Sequence, residues 1–243
     1  MPFPSLKIAL FADGANRDAM VKRYEQGHVK GFTTNPTLMH KAGIQDYQAF
    51  AESVLAVIKD LPISFEVFSD DFGEMEKQAK LIGAWGSNVN IKIPITNTEG
   101  QSALPLIRRL LDDALKLNVT AILAPQQIET LRRILKPSDD VIVSVFAGRI
   151  ADTGVDPMPL MAKAVKDYRA FSKAKILWAS PREVLNIYQA DACGCHIVTA
   201  TDDLIEKLHL HGKPLEEFSL DTVKMFHNDA RKAGFSLRAP AKV

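Results

Sequence analysis

Short apolar runs alternate along the chain with segments whose apolar residues recur at helical spacing. The runs are rich in β-branched and aromatic residues, and several have no polar face, which is typical of strands in a buried parallel sheet. The strands that this pattern predicts are Lys7–Ala12, Lys30–Thr33, Ile63–Phe68, Val89–Ile93, Val119–Leu123, Asp140–Val145, Lys175–Trp178 and His196–Ala200.

The segments between the runs predict amphipathic helices, as in Tyr47–Lys59, where Phe50, Val54 and Ile58 fall on one face. Strands that alternate with helices form parallel βαβ units, and so many units in 243 residues favour a closed barrel over an open sheet. We therefore predict an α/β fold, a (β/α)8 TIM-type barrel with an extra C-terminal helix, as one domain over residues 1–243. The helices expected are Tyr47–Lys59, Leu104–Leu117, Val165–Phe171, Pro181–Ala190 and the tail Pro214–Phe235.

Composition limits the class of protein. Hydrophobic residues make up 47% and charged residues 24%, which allows a sizeable core, and the formal net charge is +1 with no basic stripe. We therefore expect no nucleic-acid partner. The start of the chain lacks the apolar core of a signal peptide, and no run of about 18 apolar residues occurs, so we expect no membrane span and a cytoplasmic protein.

The cysteines and paired histidines do not predict a metal site. Cys193 and Cys195 flank one glycine, and a metal would need more ligands nearby than His196. We interpret the cysteines as small residues entering a buried strand, and His209 and His211 as polar surface residues. We predict neither a metal nor an organic cofactor.

Polar side chains gather near the predicted strand ends, and barrels of this kind carry their chemistry at the C-terminal ends of the strands. They are Asp13, Thr34, Asn35, Glu66, Lys92, Ser144, Arg149, Ser180 and Arg182, with Asn118 and Thr120 flanking the start of the fifth strand.

Lys92 is the most informative of these residues. It lies between Ile91 and Ile93 in a strand that should be buried on both faces. Burial removes hydration from the ammonium form and so favours the neutral amine, which is the nucleophile that attacks a ketose carbonyl. The alternative is a structural ion pair with a buried carboxylate such as Glu66, and the pattern alone leaves both open.

Two carboxylates are candidates for proton transfer. Schiff-base formation requires loss of a hydroxyl as water, and Glu66 could assist through a water held by Thr120. Asp13 could take the proton of a sugar hydroxyl as a carbon–carbon bond breaks. The alternative for Asp13 is structural, since Asp13-Gly14 is also a good turn and helix-start signal.

Arg149 and the segment Ser180-Pro181-Arg182-Glu183 suggest a phosphate site. The segment predicts a helix capped by Ser180, with Pro181 in the first turn and Glu183 completing a capping box. Free amides at such a helix start bind phosphate, and Arg149 and Arg182 would add charged contacts.

Several segments match motifs of one enzyme family: Phe11–Asn16, Gly31–Thr37, Ser64–Val67, Ile91–Thr96, Asn118–Ile122, Ser144–Ile150, Ala179–Ser180 and Thr222–Phe226. Together they resemble the transaldolase family, in the short-chain branch that also includes fructose 6-phosphate aldolases. The resemblance covers nearly the whole chain. Its Thr-Thr-Asn-Pro and Lys-Ile-Pro motifs are specific in combination and weak singly.

The resemblance implies a catalytic role for four residues. Lys92 corresponds to the Schiff-base lysine, and Asp13 to the residue that exchanges a proton with the substrate hydroxyl during bond cleavage. Glu66 and Thr120 correspond to the pair that holds the catalytic water.

It also implies how substrate is bound. Asn35 and Ser144 correspond to positions around the dihydroxyacetone part, and Arg149 and Ser180 to phosphate-binding positions. The full set of substrate-binding residues that we predict is Thr34, Asn35, Asn118, Ser144, Phe146, Arg149, Ser180 and Arg182.

Two positions bear on the reaction. In the aldolase branch, the position of Glu66 is typically glutamine and that of Phe146 tyrosine, whose hydroxyl helps release free dihydroxyacetone. Glu66 and Phe146 are both transaldolase-like, which favours transfer to an acceptor. Trp178, Pro181 and a loop after Lys92 that is one residue longer than usual depart from the family pattern.

The leading hypothesis is therefore a transaldolase acting on sugar phosphates. The alternatives are an aldolase that releases dihydroxyacetone and a non-catalytic barrel that binds sugar phosphates. Relatives of this short type often form pentamers or decamers through the tail helix, so the resemblance implies a homo-oligomer.

Overall fold

The computed structural model describes residues 5–237, and its centre is a closed barrel of parallel strands. Each strand pairs with its neighbours in chain order, and the last strand pairs with the first. This confirms the predicted (β/α)8 fold. The strands are β1 (Ala9–Asp13), β2 (Phe32–Thr33), β3 (Ile63–Glu66), β4 (Val89–Pro94), β5 (Leu117–Ile122), β6 (Val141–Val145), β7 (Ala174–Trp178) and β8 (Ile197–Thr201).

Helices follow the strands, and several begin at an Asn or Asp whose side chain accepts a hydrogen bond from a backbone N–H of the first turn, as at Asn16, Asp46 and Asp71. A short 3-10 turn spans Leu208–Leu210. The helices are α1 (Arg17–Gln26), α2 (Pro36–Lys41), α3 (Tyr47–Leu55), α4 (Phe72–Gly83), α5 (Leu104–Asp112), α6 (Pro125–Ile134), α7 (Ala147–Asp152), α8 (Met158–Asp167), α9 (Val184–Ala192), α10 (Asp202–Lys207) and α11 (Leu215–Lys232).

Several predicted helices had wrong limits. Tyr47–Lys59 ends already at Leu55, and Pro181–Ala190 begins at Val184 and ends at Ala192. Leu104–Leu117 was too long, because Ala114 takes a left-handed φ of 59° that ends the helical path, and Leu117 already belongs to β5. Val165–Phe171 was placed too late, because α8 begins at Met158, between Pro157 and Pro159, and prolines suit the start of a helix.

The barrel interior contains an apolar cluster of Phe11, Ile142, Leu177, Ala179 and Ile197. The C-terminal ends carry the polar residues. The barrel is part of one compact unit, Ser5–Glu206. Cys193 and Cys195 are free thiols, and Cys195 is buried.

Residues 207–237 belong to a second unit. No residue of α11 is buried, and its exposed apolar side chains include Phe218, Val223 and Phe226. A single domain over the whole chain stays a prediction. Within residues 5–237, no helix is both long enough and apolar enough to cross a membrane.

Gly148 allows two backbone segments to touch. A Cβ at this position would lie 1.5 Å from the Ser180 carbonyl oxygen and 2.6 Å from its carbonyl carbon. Because both atoms are backbone, they cannot move aside as a flexible side chain can. We predict that Gly148→Ala lowers the free energy of unfolding by about 3 kcal/mol, measured by urea denaturation.

Gly14→Ala is the matched control, since a Cβ there meets no atom within 4 Å. It should change the stability by less than about 0.5 kcal/mol. Equal stabilities for the two variants would show that the close contact at Gly148 is unimportant.

Candidate active site

A cavity of about 490 Å³ opens at the C-terminal ends of the strands. It brings together all of the predicted site residues except Thr34. Those that line it are Asp13, Asn35, Glu66, Lys92, Asn118, Thr120, Ser144, Phe146, Arg149, Ser180 and Arg182.

Lys92 is buried, with 6% of its surface exposed. Its Nζ lies 2.9 Å from Glu66 Oε2 and donates a hydrogen bond of 2.7 Å to the Thr34 carbonyl oxygen. The ladder places Glu66 directly beside Lys92 on the neighbouring strand, and Asn118 beside it on the other side. A charged amine in a protein interior requires such partners, so the ion pair left open by the pattern is present. The lysine of this ion pair also lines the cavity.

Asp13 sits at the end of β1 and is held by Thr33, which is in turn hydrogen-bonded to Thr199. Thr33 Oγ1 lies 2.7 Å from Asp13 Oδ1 and donates to it, and also lies 2.6 Å from Thr199 Oγ1. Burial raises the pKa of Asp13 above its ordinary value, opposed by the charge of Lys92 and the Thr33 hydrogen bond and assisted by the charge of Glu66. A carboxyl with a raised pKa is better suited to take up and return a proton near neutral pH.

Thr120 stands at an irregularity of β5. The register with β6 shifts between Val119 and Ile122, and Ala121 has a φ of 60°, which is strained for a residue with a side chain. The Thr120 hydroxyl oxygen is buried and has no hydrogen-bond partner among the described residues. An unpaired buried hydroxyl at a cavity wall is suited to hold a water or a substrate group.

Asn118 is oriented by a short hydrogen-bond chain. Ser144 Oγ donates to its Oδ1 at 2.6 Å, and its Nδ2 donates to Ser64 Oγ at 3.0 Å. Asn35 caps α2, because its Oδ1 accepts from the Leu38 N–H at 3.0 Å. This cap uses the oxygen of the Asn35 amide and leaves its NH₂ donors for a ligand.

Two arginines line the cavity, and their guanidinium groups have different partners. The Arg149 guanidinium lies over the Phe146 ring, 5.2 Å from its centre. Arg182 is exposed and donates to both carboxylate oxygens of Asp152, which lowers the pKa of that carboxyl. Part of the Arg182 charge is therefore already neutralised.

Ser180 lines the cavity but does not cap a helix, so that prediction was wrong. Its φ is 57°, and α9 begins at Val184. The amides of Arg182 and Glu183 are instead bound by Asn186 Oδ1, at 2.7 and 3.3 Å. The close approach of Gly148 holds the chain at Ser180 in a turn rather than a helix start.

Thr34 is the one predicted site residue that does not line the cavity. Its side chain is buried and its hydroxyl donates to the Ser64 carbonyl at 2.9 Å, so it faces the sheet and not the cavity. Its contribution to the site is the backbone oxygen that Lys92 binds.

Sequence reasoning missed Thr33, Thr199 and Lys41, which also line the cavity. Thr33 is paired with Asp13 in the ladder, so its place could have been inferred from strand alignment. Trp178 is fully buried and does not line the cavity. The longer loop after Lys92 is tied to Asp70, which accepts hydrogen bonds from both the amide and the hydroxyl of Thr98.

A family model described as Transaldolase/Fructose-6-phosphate aldolase matches residues 10–237. The chain belongs to this family. It is 34% identical to a probable transaldolase of Dehalococcoides mccartyi over 84% of this chain and 91% of the relative. It is 32% identical to one of Roseiflexus castenholzii over 88% of this chain and 94% of the relative.

Solved structures of lower identity share the barrel fold with this member of the transaldolase and aldolase family. A putative lyase/mutase from Burkholderia cenocepacia has a TM-score of 0.61 at 13% identity, covering 96% of this chain and 87% of its own. A dihydrodipicolinate synthase from Rhodopseudomonas palustris has a TM-score of 0.55 at 14% identity, covering 85% and 77%. At these identities the likeness concerns the fold alone.

The raised pKa of Asp13 has a consequence for the stability of this family member. A folded-state pKa above the unfolded value means that the carboxyl adds stability below pH 3.8 and loses it as the pH rises through the folded-state pKa. At pH 7 the charged form therefore costs folding free energy. We predict that Asp13→Asn, which keeps an oxygen for Thr33, raises the unfolding midpoint in urea at pH 7, and that the gain shrinks towards pH 4.

Asp18→Asn serves as the control, because the Asp18 side chain is 92% exposed. It should leave the midpoint nearly unchanged at both pH values. A loss of stability in Asp13→Asn at pH 7 would contradict the assignment of a costly buried charge.

Proposed function

We propose that this chain is a transaldolase that moves a dihydroxyacetone unit between sugar phosphates through a Schiff base on Lys92. The observation that carries the proposal is the buried Lys92 amine facing a polar cavity, 2.9 Å from the Glu66 carboxylate. A structural ion pair explains the burial but not the exposure of the pair to a cavity that also holds Asp13 and Arg149.

The first stage is formation of the Schiff base. Glu66 takes a proton from the Lys92 ammonium, and the neutral amine adds to the ketose carbonyl carbon. The carbinolamine hydroxyl then leaves as water when Glu66 returns a proton to it. A water between Glu66 and the unpaired hydroxyl of Thr120 can relay this proton.

The second stage is cleavage of a carbon–carbon bond. Asp13 takes the proton of the hydroxyl on the carbon that becomes the aldehyde when the bond breaks, and an aldose phosphate leaves. The electron pair of the bond moves to the iminium nitrogen, so an enamine of the dihydroxyacetone unit stays on Lys92. An acceptor aldehyde then takes up the enamine carbon and the Asp13 proton, and water releases the product ketose.

The charge and polarity of the cavity residues indicate which of them bind which part of the substrate. Arg149 and the turn at Ser180 hold the phosphate, with Arg182 adding a charge that Asp152 partly offsets. The Asn35 amide and the Asn118–Ser144 pair bind the hydroxyls of the dihydroxyacetone unit. The protein acts as a cytoplasmic homo-oligomer, a pentamer or decamer, which the exposed apolar side chains of α11 support.

Phe146 favours transfer over release. It lines the cavity with an apolar ring and has no hydroxyl to protonate the enamine. We predict that the wild type consumes fructose 6-phosphate only when an aldose acceptor is added, and that Phe146→Tyr raises acceptor-free cleavage about a hundredfold or more, in the range typical of a placed proton donor. Release of free dihydroxyacetone is the quantity to measure.

Phe171→Tyr is the control, because it adds the same hydroxyl in the loop that precedes β7. It should leave acceptor-free cleavage at the wild-type level. Rapid acceptor-free cleavage by the wild type would favour the alternative, an aldolase, and unchanged cleavage in Phe146→Tyr would remove the account of transfer.

A further inference from the structure

One tyrosine hydroxyl is bonded to both backbone groups of Glu66. Tyr47, the first residue of α3, donates to the Glu66 carbonyl oxygen at 2.8 Å and accepts from the Glu66 N–H at 2.8 Å. Its ring packs edge-on against Phe65 and Phe68, with centres 6.4 and 5.7 Å away, and at a tilt against Trp85. The phenol is therefore fixed in place from several sides.

The Tyr47 hydroxyl takes the place of the hydrogen-bond partner that β2 would offer to Glu66 if the strand continued. Thr33 is paired with Ser64, and the Thr34 N–H donates to the Ser64 carbonyl. In a regular parallel ladder, the next bond would run from the Glu66 N–H to the Thr34 carbonyl. Here β2 has ended at Thr33, and the Glu66 N–H is bonded to Tyr47 instead.

The Thr34 carbonyl, which the ladder would have used, accepts from Lys92 Nζ at 2.7 Å. The Tyr47 hydroxyl thus accepts the hydrogen bond of the Glu66 N–H. Lys92 Nζ donates to the Thr34 carbonyl, which this N–H would otherwise have bound. The same exchange sets both neighbours of the Lys92 amine, because Glu66 supplies its carboxylate and Thr34 its carbonyl.

We propose that Tyr47 is a positioning residue for the reaction, whose hydroxyl replaces the missing ladder partner of Glu66 and so keeps the Thr34 carbonyl for Lys92. The inference rests on the proposed function, because it gives Lys92 its catalytic meaning. Burial raises the pKa of Tyr47 above its ordinary value, so the hydroxyl keeps the proton that it donates throughout the working pH range.

Tyr47→Phe keeps the ring and removes the hydroxyl. The partly buried Glu66 N–H then lacks its acceptor and turns to the Thr34 carbonyl in competition with Lys92. We expect kcat for transfer to fall about ten- to a hundredfold, as for a small misplacement of reacting groups, with KM for the donor changed less than about twofold. We also expect the pH profile of kcat to be displaced, since both partners of the amine move.

Tyr168→Phe is the matched control. Tyr168 is buried, whereas Tyr47 is partly buried, and the Tyr168 hydroxyl donates to the Ile128 carbonyl at 2.8 Å, away from the cavity. This variant loses one hydrogen bond between a tyrosine hydroxyl and a backbone carbonyl, where Tyr47→Phe loses two bonds. Its melting temperature should therefore fall by a smaller amount than that of Tyr47→Phe, while kcat and its pH profile stay at wild-type values. Equal kcat values and pH profiles in the two variants would overturn the positioning role, as would a change in Tyr47→Phe confined to KM.

Borohydride trapping with fructose 6-phosphate separates this inference from the function on which it rests. If wild type forms an adduct on Lys92 and Tyr47→Phe forms it at least about tenfold more slowly, the positioning role is supported. If both form it equally fast, the role of Tyr47 fails while the Schiff base stands. If the wild type forms no adduct, both proposals fail.

Discussion

The contact between Lys92 Nζ and Glu66 Oε2 is the constraint on which the rest of the site depends. Removing a charged amine from water costs several kcal/mol, and an uncompensated lysine at this position would destabilise the barrel. The carboxylate of Glu66 and the carbonyl of Thr34 offset that cost. The pairing of Glu66 with Lys92 is set by strand register, and a slip of one residue would turn the amine to the other face of the sheet. Correct closure of the barrel and assembly of the site are thus one geometric requirement.

Features that cost folding free energy are found around the same cavity. Ala121 and Ser180 take left-handed backbone conformations, and both line the cavity. The buried carboxyl of Asp13 has a raised pKa, and the Thr120 hydroxyl is unpaired. Such terms are tolerated when the surrounding structure determines them, and here the closed barrel of paired strands carries all four residues at or near its strand ends.

Much of the fold and of the site is predictable from the sequence, because strand periodicity and the position of polar residues at strand ends are local signals. These signals alone group Asp13, Glu66 and Lys92 around one site. Local signals fail where a tertiary contact decides. The sequence from Ser180 matches a capping box. In the structure, however, the Asn186 side chain accepts from the amide of Arg182, and the Gly148 backbone lies close to the Ser180 carbonyl.

The same limit applies on the other side of the barrel. Thr34 belongs to a family motif, but whether its hydroxyl or its carbonyl serves the site depends on where β2 ends. Tyr47 begins an amphipathic helix and has the pattern of an ordinary core residue. Its double bond to Glu66 depends on how α3 packs over β3, which no spacing in the sequence expresses.

In the proposed reaction, the amine of Lys92 becomes covalently bound to substrate. Reduction with borohydride in the presence of fructose 6-phosphate, followed by peptide mass spectrometry, tests for this bond. We expect a stable adduct of the dihydroxyacetone unit or of the whole ketose phosphate on Lys92. An adduct on another lysine, or no adduct, would contradict the proposed reaction.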